Sequence, residues 1–175
     1  TVTGVDDGIA DGNQEYTVVL LAAVSSDTGY DGMDATEKLA TMVKISPYFG
    51  ELRVIVLDGI TFAGFNIVDI NELYEEVDLP VVSVVREKPD LQEIRSALKN
   101  LPNFRTRWQF MLNAGELFEV ETRNGENPVY VQTAGILSED AIKILRKTST
   151  RSNIPEALRV AHIIASGLGL LIEKV

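Results

Sequence analysis

Apolar runs and polar interruptions divide the chain into alternating strands and helices. The sharpest run is 54–57, four apolar residues in a row, which stops at Asp58 and Gly59. A run without alternation predicts a strand covered on both faces. A carboxylate at the carboxyl end of such a strand stands where open α/β sheets place ligands. The glycine behind it lets the backbone turn sharply. Residues 60–66 then mix Gly64 with apolar and aromatic side chains, a turn feeding a helix.

Around this run the pattern predicts strands at 2–6 and 16–24, joined by a Gly/Asp/Asn loop as a hairpin. Residues 25–34 are a polar, glycine-containing loop. A helix over 35–45 has Leu39, Met42 and Val43 on one face, with Asp34 and Glu37 as a capping-box pair. A helix over 66–76 turns Ile67, Ile70 and Leu73 inward, and 81–85 is another apolar strand. Asp90 and Glu93 form a second capping pair, before a helix with Leu91, Ile94 and Leu98 inward. A short helix over 105–113 gathers Trp108, Phe110 and Met111. Residues 117–122 and 128–133 flank Asn124-Gly125 as a hairpin. Ser138 caps a helix running to Lys147. Pro155 opens a last helix with Leu158, Ala161, Ala165 and Leu168 inward. The order β-β-α-β-α-β-α, then a hairpin and two helices, predicts a mixed α/β sheet in one domain over 1–175.

Composition narrows the chemistry. There is no cysteine and a single histidine, so a metal site would rest on carboxylates and favour hard cations such as Mg2+ or Mn2+. No stretch is long enough to span a bilayer and no signal-like leader is visible, so the chain reads as cytoplasmic. Net charge is −10, which argues against a uniform basic face that coats nucleic acid. The charge is uneven. Residues 1–80 hold fifteen acids against three bases, whereas 81–175 hold eleven acids against thirteen bases. Arg86, Lys88, Arg95, Lys99, Arg105 and Arg107 fall close together, either as solvated helix faces or as a phosphate-facing rim.

Asp6 and Asp58 both end predicted buried strands, and neighbouring strands would bring their carboxylates together. Glu37 lies twenty-one residues before Asp58. Carboxylates around one point repel unless a cation or protons neutralise them. Each also has a plainer role: Asp58 as a turn or cap residue, Glu37 as the reciprocal half of its capping box.

The segments VDDG, DGMDATEKLATMV, LRVIVLDGITFAGFNIVDI, LPVVSVVREKPDL and IPEALRVAHIIASGL resemble the archaeal family termed domain of unknown function ninety-nine, or endonuclease dU. The similarity runs through nearly the whole chain, and LDGITFAGFN with PEALRVAH is its most specific part. That family in turn resembles endonuclease V, which has an RNase H-like fold and uses magnesium to cut nucleic acid near deaminated bases. The resemblance implies a single-domain RNase H-like mixed sheet flanked by helices, with Asp6, Glu37 and Asp58 as metal ligands. It also implies departures. Residues 60–64 supply no histidine after the Asp-Gly pair, 133–135 supply none before the penultimate helix, and 31–34 replace the base-reading wedge. An RNase H-like sheet further needs a third strand within 25–34, where there is hardly room.

These readings converge on a magnesium- or manganese-dependent nuclease acting on damaged or structured nucleic acid. Asp6 and Asp58 hold the metal, Glu37 assists or positions water, and Arg86, Lys88, Arg105, Arg107 and Arg159 meet the nucleic-acid backbone. The alternatives are a nucleic-acid-binding module without catalysis and a protein-interaction module on the same scaffold. Arg159 pairs locally with Glu156 or reaches a phosphate. His162 packs structurally or reaches a phosphate, and Trp108 is a buried anchor or a base-stacking platform.

Overall fold

The computed structural model describes residues 32–172, with side chains to residue 165. The predicted strands at 2–6 and 16–24, the loop at 25–31 and Asp6 lie outside the described residues. In chain order the elements are α1 (Ala35–Lys44), a 3-10 turn (Phe49–Glu51), β1 (Ile55–Asp58), β2 (Thr61–Phe62), β3 (Asn66–Ile67) and α2 (Ile70–Val77). They continue with β4 (Val81–Val85), α3 (Leu91–Leu98), α4 (Phe104–Asn113), β5 (Phe118–Val120), β6 (Val129–Ala134), α5 (Ser138–Thr148) and α6 (Glu156–Ile172).

The main sheet has the order β1-β4-β6-β5. β1 and β4 are parallel, with Asp58 opposite Val84. β4 and β6 are antiparallel, as are β5 and β6. The sheet is mixed, as the element order predicted. Helices cover both of its faces. Ile55, Leu57 and Val81 pack with Leu39, Val43, Ile70, Leu73 and Leu98 on the face of α1 to α4. Val54, Val56, Val82 and Val84 pack with Val131, Ala141, Leu145 and Leu158 on the face of α5 and α6. Side chains alternate across a strand, so apolar neighbours serve opposite layers, which is why 54–57 is an unbroken apolar run and 81–85 is apolar apart from buried Ser83.

Several boundaries differ from the expectation. The helix predicted over 66–76 begins at Ile70, because Asn66 and Ile67 pair with Thr61 and Phe62 in a small antiparallel hairpin. Gly64 (φ 84°) and Ala63 (φ 42°) make its turn. Asp69 then caps α2, accepting from the backbone N–H groups of Asn71 (3.0 Å) and Glu72 (3.2 Å). Asp90 caps α3 as predicted, accepting from Gln92 and Glu93. Asp34 makes no side-chain cap on α1. Buried Asn66 does that work instead: its Oδ1 accepts from the Ala35 N–H at 3.0 Å, and its Nδ2 donates to Asp34 at 2.7 Å. Ser138 is the first residue of α5 and not its cap, since Leu137 holds that position. Leu91 and Ala165, predicted inward, are exposed.

Candidate metal and nucleic-acid site

β1 delivers Asp58 to the carboxyl end of the sheet. The next residue, Gly59, adopts φ 74° and donates its N–H to the Val84 carbonyl at 3.0 Å. A Cβ there would press on Val85 Cγ1 at 3.2 Å, so glycine satisfies both the conformation and the close approach. The chain thereby leaves the sheet at once, and the Asp58 side chain stays 44 % exposed. Among the described residues its ion-pair-range neighbour is His162, with Nδ1 3.4 Å from Oδ2, a pair that carries opposite charge only when the imidazole is protonated. His162 comes from α6, which lies alongside β1 and is anchored by buried Leu158. No lysine or arginine among the described residues neutralises Asp58.

Glu37 is exposed in the first turn of α1, and no hydrogen bond or ion pair holds its carboxylate among the described residues. The plainer reading of Glu37, a reciprocal capping bond, is therefore not realised. Asn66 fixes the start of α1 to the hairpin that follows Asp58, so the helix bearing Glu37 and the strand bearing Asp58 are tied through one side chain. Asp6, the third expected carboxylate, lies outside the described residues. Among those described, no group of three or more His, Cys, Asp or Glu is arranged to hold a metal. The donors that are present, an unneutralised carboxylate and an adjacent imidazole nitrogen, suit a divalent cation in kind.

The basic residues separate by environment. Arg86 follows the last residue of β4 and is exposed, at the same sheet end as Asp58; Lys88 is exposed two residues on. Arg105 is exposed on α4. Arg107, expected at the nucleic-acid backbone, is 1 % exposed and cannot serve there. Its guanidinium donates to the carbonyls of Pro102 (3.0 Å), Gly32 (2.9 Å) and Phe65. This is a structural hub joining the α3–α4 connection, the approach to α1 and the β2–β3 hairpin. Arg159 is also engaged: Nε and Nη2 donate to the two Glu156 carboxylate oxygens at 2.9 and 2.5 Å. That fork holds the Glu156 carboxyl below its usual range and raises the Arg159 guanidinium. The local pair of Arg159 with Glu156 is present in the structure. Trp108 is half-buried against the core, with the Arg95 guanidinium 5.4 Å from its ring centroid, and so acts as an anchor rather than an open stacking platform.

Sequence reasoning missed Asn66 as the cap of α1 and gave His162 no role beside Asp58. The available signal for the latter was modest: the chain's single histidine stands three residues after Arg159, on the same side of the helix.

Comparison with known proteins gives the family and the fold. A family model described as endonuclease dU matches residues 1–169. A UPF0215 protein of Methanosarcina mazei is 50 % identical over 145 residues, covering 83 % of this chain and 74 % of the relative. The crystal structure of a protein of unknown function from Archaeoglobus fulgidus is similar at a TM-score of 0.73 and 41 % identity, covering 80 % of this chain and 78 % of that one. A Ciona intestinalis endonuclease V in complex with a 23mer DNA containing an inosine followed by a ribo-adenosine is similar at a TM-score of 0.50 and 17 % identity. That match covers 80 % of this chain and 64 % of the other. At that identity the likeness speaks to the fold alone, and it agrees with the expected endonuclease V-like mixed sheet. The chain belongs to the endonuclease dU family.

Proposed function

We propose that the protein is a divalent-metal-dependent nuclease acting on damaged or structured nucleic acid. The observation that carries the reading is Asp58: a half-exposed carboxylate at the end of a parallel strand, released by Gly59 and neutralised by no lysine or arginine among the described residues. The family's endonuclease description supports it, as does the endonuclease V-like fold, which in the Ciona protein carries a DNA. Asp58 and Asp6 hold Mg2+ or Mn2+, and Glu37 accepts a proton from the attacking water or positions it. When bound, the cation neutralises charge on the phosphoryl oxygen and lowers the pKa of a water. Arg86 and Lys88, at the same sheet end as Asp58, bind the backbone phosphates, with Arg105 as a further contact. Arg107 has no part in this, since it is buried and its donors meet backbone carbonyls, whereas Arg159, forked onto Glu156 through Nε and Nη2, keeps Nη1 for a phosphate.

The test is cleavage of uracil-, inosine- and flap-containing strands by the purified chain in Mg2+ or Mn2+. Asp58→Ala is expected to lower the rate at least about 100-fold, as for loss of an essential charge-stabilising group. No cleavage of any substrate, with salt-sensitive binding unaffected by Asp58→Ala, would leave a nucleic-acid-binding module without catalysis.

A further inference from the structure

We infer that the α3–α4 pair carries a second binding surface, one that takes single-stranded nucleic acid on Arg95, Lys99 and Arg105 with Trp108 beneath them. The inference rests on the nucleic-acid reading above but needs no metal. It begins with charge. Residues 94–115 are the longest stretch of this acidic chain without Asp or Glu. Within it Arg95, Lys99 and Arg105 are exposed, whereas Arg107 is buried. None of the three exposed cations has an acid three or four residues away, where partners on one helix meet. Nor does any of them form an ion pair among the described residues. Lys38, Lys44, Arg123, Lys143 and Arg159, by contrast, each meet a carboxylate. The acids that precede the stretch on α3 are Asp90, held by the helix cap, and exposed Glu93.

Helix spacing gathers these cations. Arg95 and Lys99 stand one turn apart, and Lys99 keeps helical backbone at the end of α3. Arg105, Trp108 and Leu112 follow one another along one side of α4. The Arg95 guanidinium, 5.4 Å from the Trp108 ring centroid, joins the two rows. Trp108 is itself packed against the core, so Arg95 is placed on a fixed support with no carboxylate on its N–H donors among the described residues. Leu91, one turn before Arg95, and Leu112 are exposed at 46 % and 53 %, which sets apolar area beside the charges. A single strand matches both: its phosphates meet the cations, and its base faces meet the leucines and the guanidinium plane. A duplex hides its base faces, and an acidic peptide has none. Arg86 and Lys88 precede α3, so the chain leads from the sheet end that carries Asp58 into this surface.

Trp108 is the chain's single tryptophan, which makes it a built-in reporter. The full chain is titrated with labelled oligothymidylate in EDTA, which prevents metal-dependent cleavage, while Trp108 emission and strand anisotropy are followed. Binding is expected to quench Trp108. Arg95→Ala and Lys99→Ala are each expected to weaken binding about 5-fold at roughly 0.1 M salt and to lower the log–log salt slope by about 0.7. Arg95→Lys should keep the slope, since the charge remains. Lys143→Ala, on α5 across the sheet, should change neither quantity. Unchanged Trp108 emission on binding, with full affinity in both alanine variants, overturns the inference. A duplex of equal length that binds as tightly and with the same dependence on Arg95 and Lys99 also overturns it, as does poly-glutamate that displaces the strand at equal concentration. The two readings fail separately. Strand binding that needs Arg95 and Lys99, without cleavage of any substrate in Mg2+ or Mn2+, defeats the nuclease and spares the surface. Cleavage that needs Asp58, with no single-strand binding in EDTA, does the reverse.

Discussion

Arg107 turns a charged side chain into the main fastening between three backbone segments. A buried guanidinium is stable only when its donors are met, and here carbonyls at residues 32, 65 and 102 meet them. Arg107→Met is expected to cost about 3 kcal/mol or more in reversible urea unfolding, because it strands buried carbonyls. Arg107→Lys should not rescue it, since an ammonium lacks the planar fork. Asn66→Ala should cost about 1–3 kcal/mol by the same measurement, losing a cap and a bond to Asp34 in a buried position. Asp34 adds a pH signature. Its carboxyl is held below the usual range chiefly by the Lys38 side chain, then by Asn66. A folded-state pKa below the unfolded one gives stability that is full above the ordinary carboxylate range. That stability is lost as pH falls through the depressed folded value. Asp34→Asn should therefore flatten the acid limb of the stability–pH curve, with the largest change just below the ordinary carboxylate range.

At the scale of elements, caps separate what is local from what is not. Asp90 caps α3 from within its own segment, so the sequence signal and the structure agree. The same signal at Asp34 fails, because Asn66, thirty-one residues beyond Ala35, takes the helix terminus and draws Asp34 to itself and Lys38. Asp69 serves twice: it caps α2 with Oδ1, and its Oδ2 accepts from Asn113 of α4 at 2.7 Å. Asp69→Ala is expected to destabilise by about 2 kcal/mol, at the high end for a lost cap, with differential scanning calorimetry as the measurement. Gly135, after β6, has φ 71°, and a Cβ there would enter the Tyr74 ring of α2. Gly135→Ala should lower the thermal midpoint by several degrees, combining positive-φ strain with displacement of the ring.

For the whole molecule, the −10 net charge and the proposed nucleic-acid partner are compatible through the distribution of charge. Acids dominate residues 1–80, and bases predominate afterwards. Arg86 and Lys88 follow the end of β4 at which the sheet carries Asp58, where a local field can act despite the overall sign. Binding of a DNA duplex should weaken steeply with salt. Arg86→Ala and Lys88→Ala should each reduce the log–log salt slope by about 1 and weaken binding evenly across sequences, as followed by fluorescence anisotropy. Arg105→Ala, farther along the chain on α4, offers the comparison. Among the described residues no helix is long and apolar enough to cross a membrane.

The sequence by itself determined the order of the helices and main-sheet strands across 32–172 but not the β2–β3 hairpin, and it determined the mixed sheet, the two-faced burial of 54–57 and 81–85, and the position of Asp58 at a strand's end. These follow from periodicity and local turn chemistry, which act over a few residues. Only tertiary structure decided which polar side chains are free. Arg107 and Arg105 stand two residues apart on one helix, yet one is a buried hub and the other is open to solvent. Burial depends on which segments fold back onto a helix face, and nothing within that helix encodes the carbonyls of Gly32 and Phe65. The same holds for His162 and Asp58, which are more than a hundred residues apart. Their approach is a consequence of α6 packing along β1, and spacing in sequence carries no trace of it.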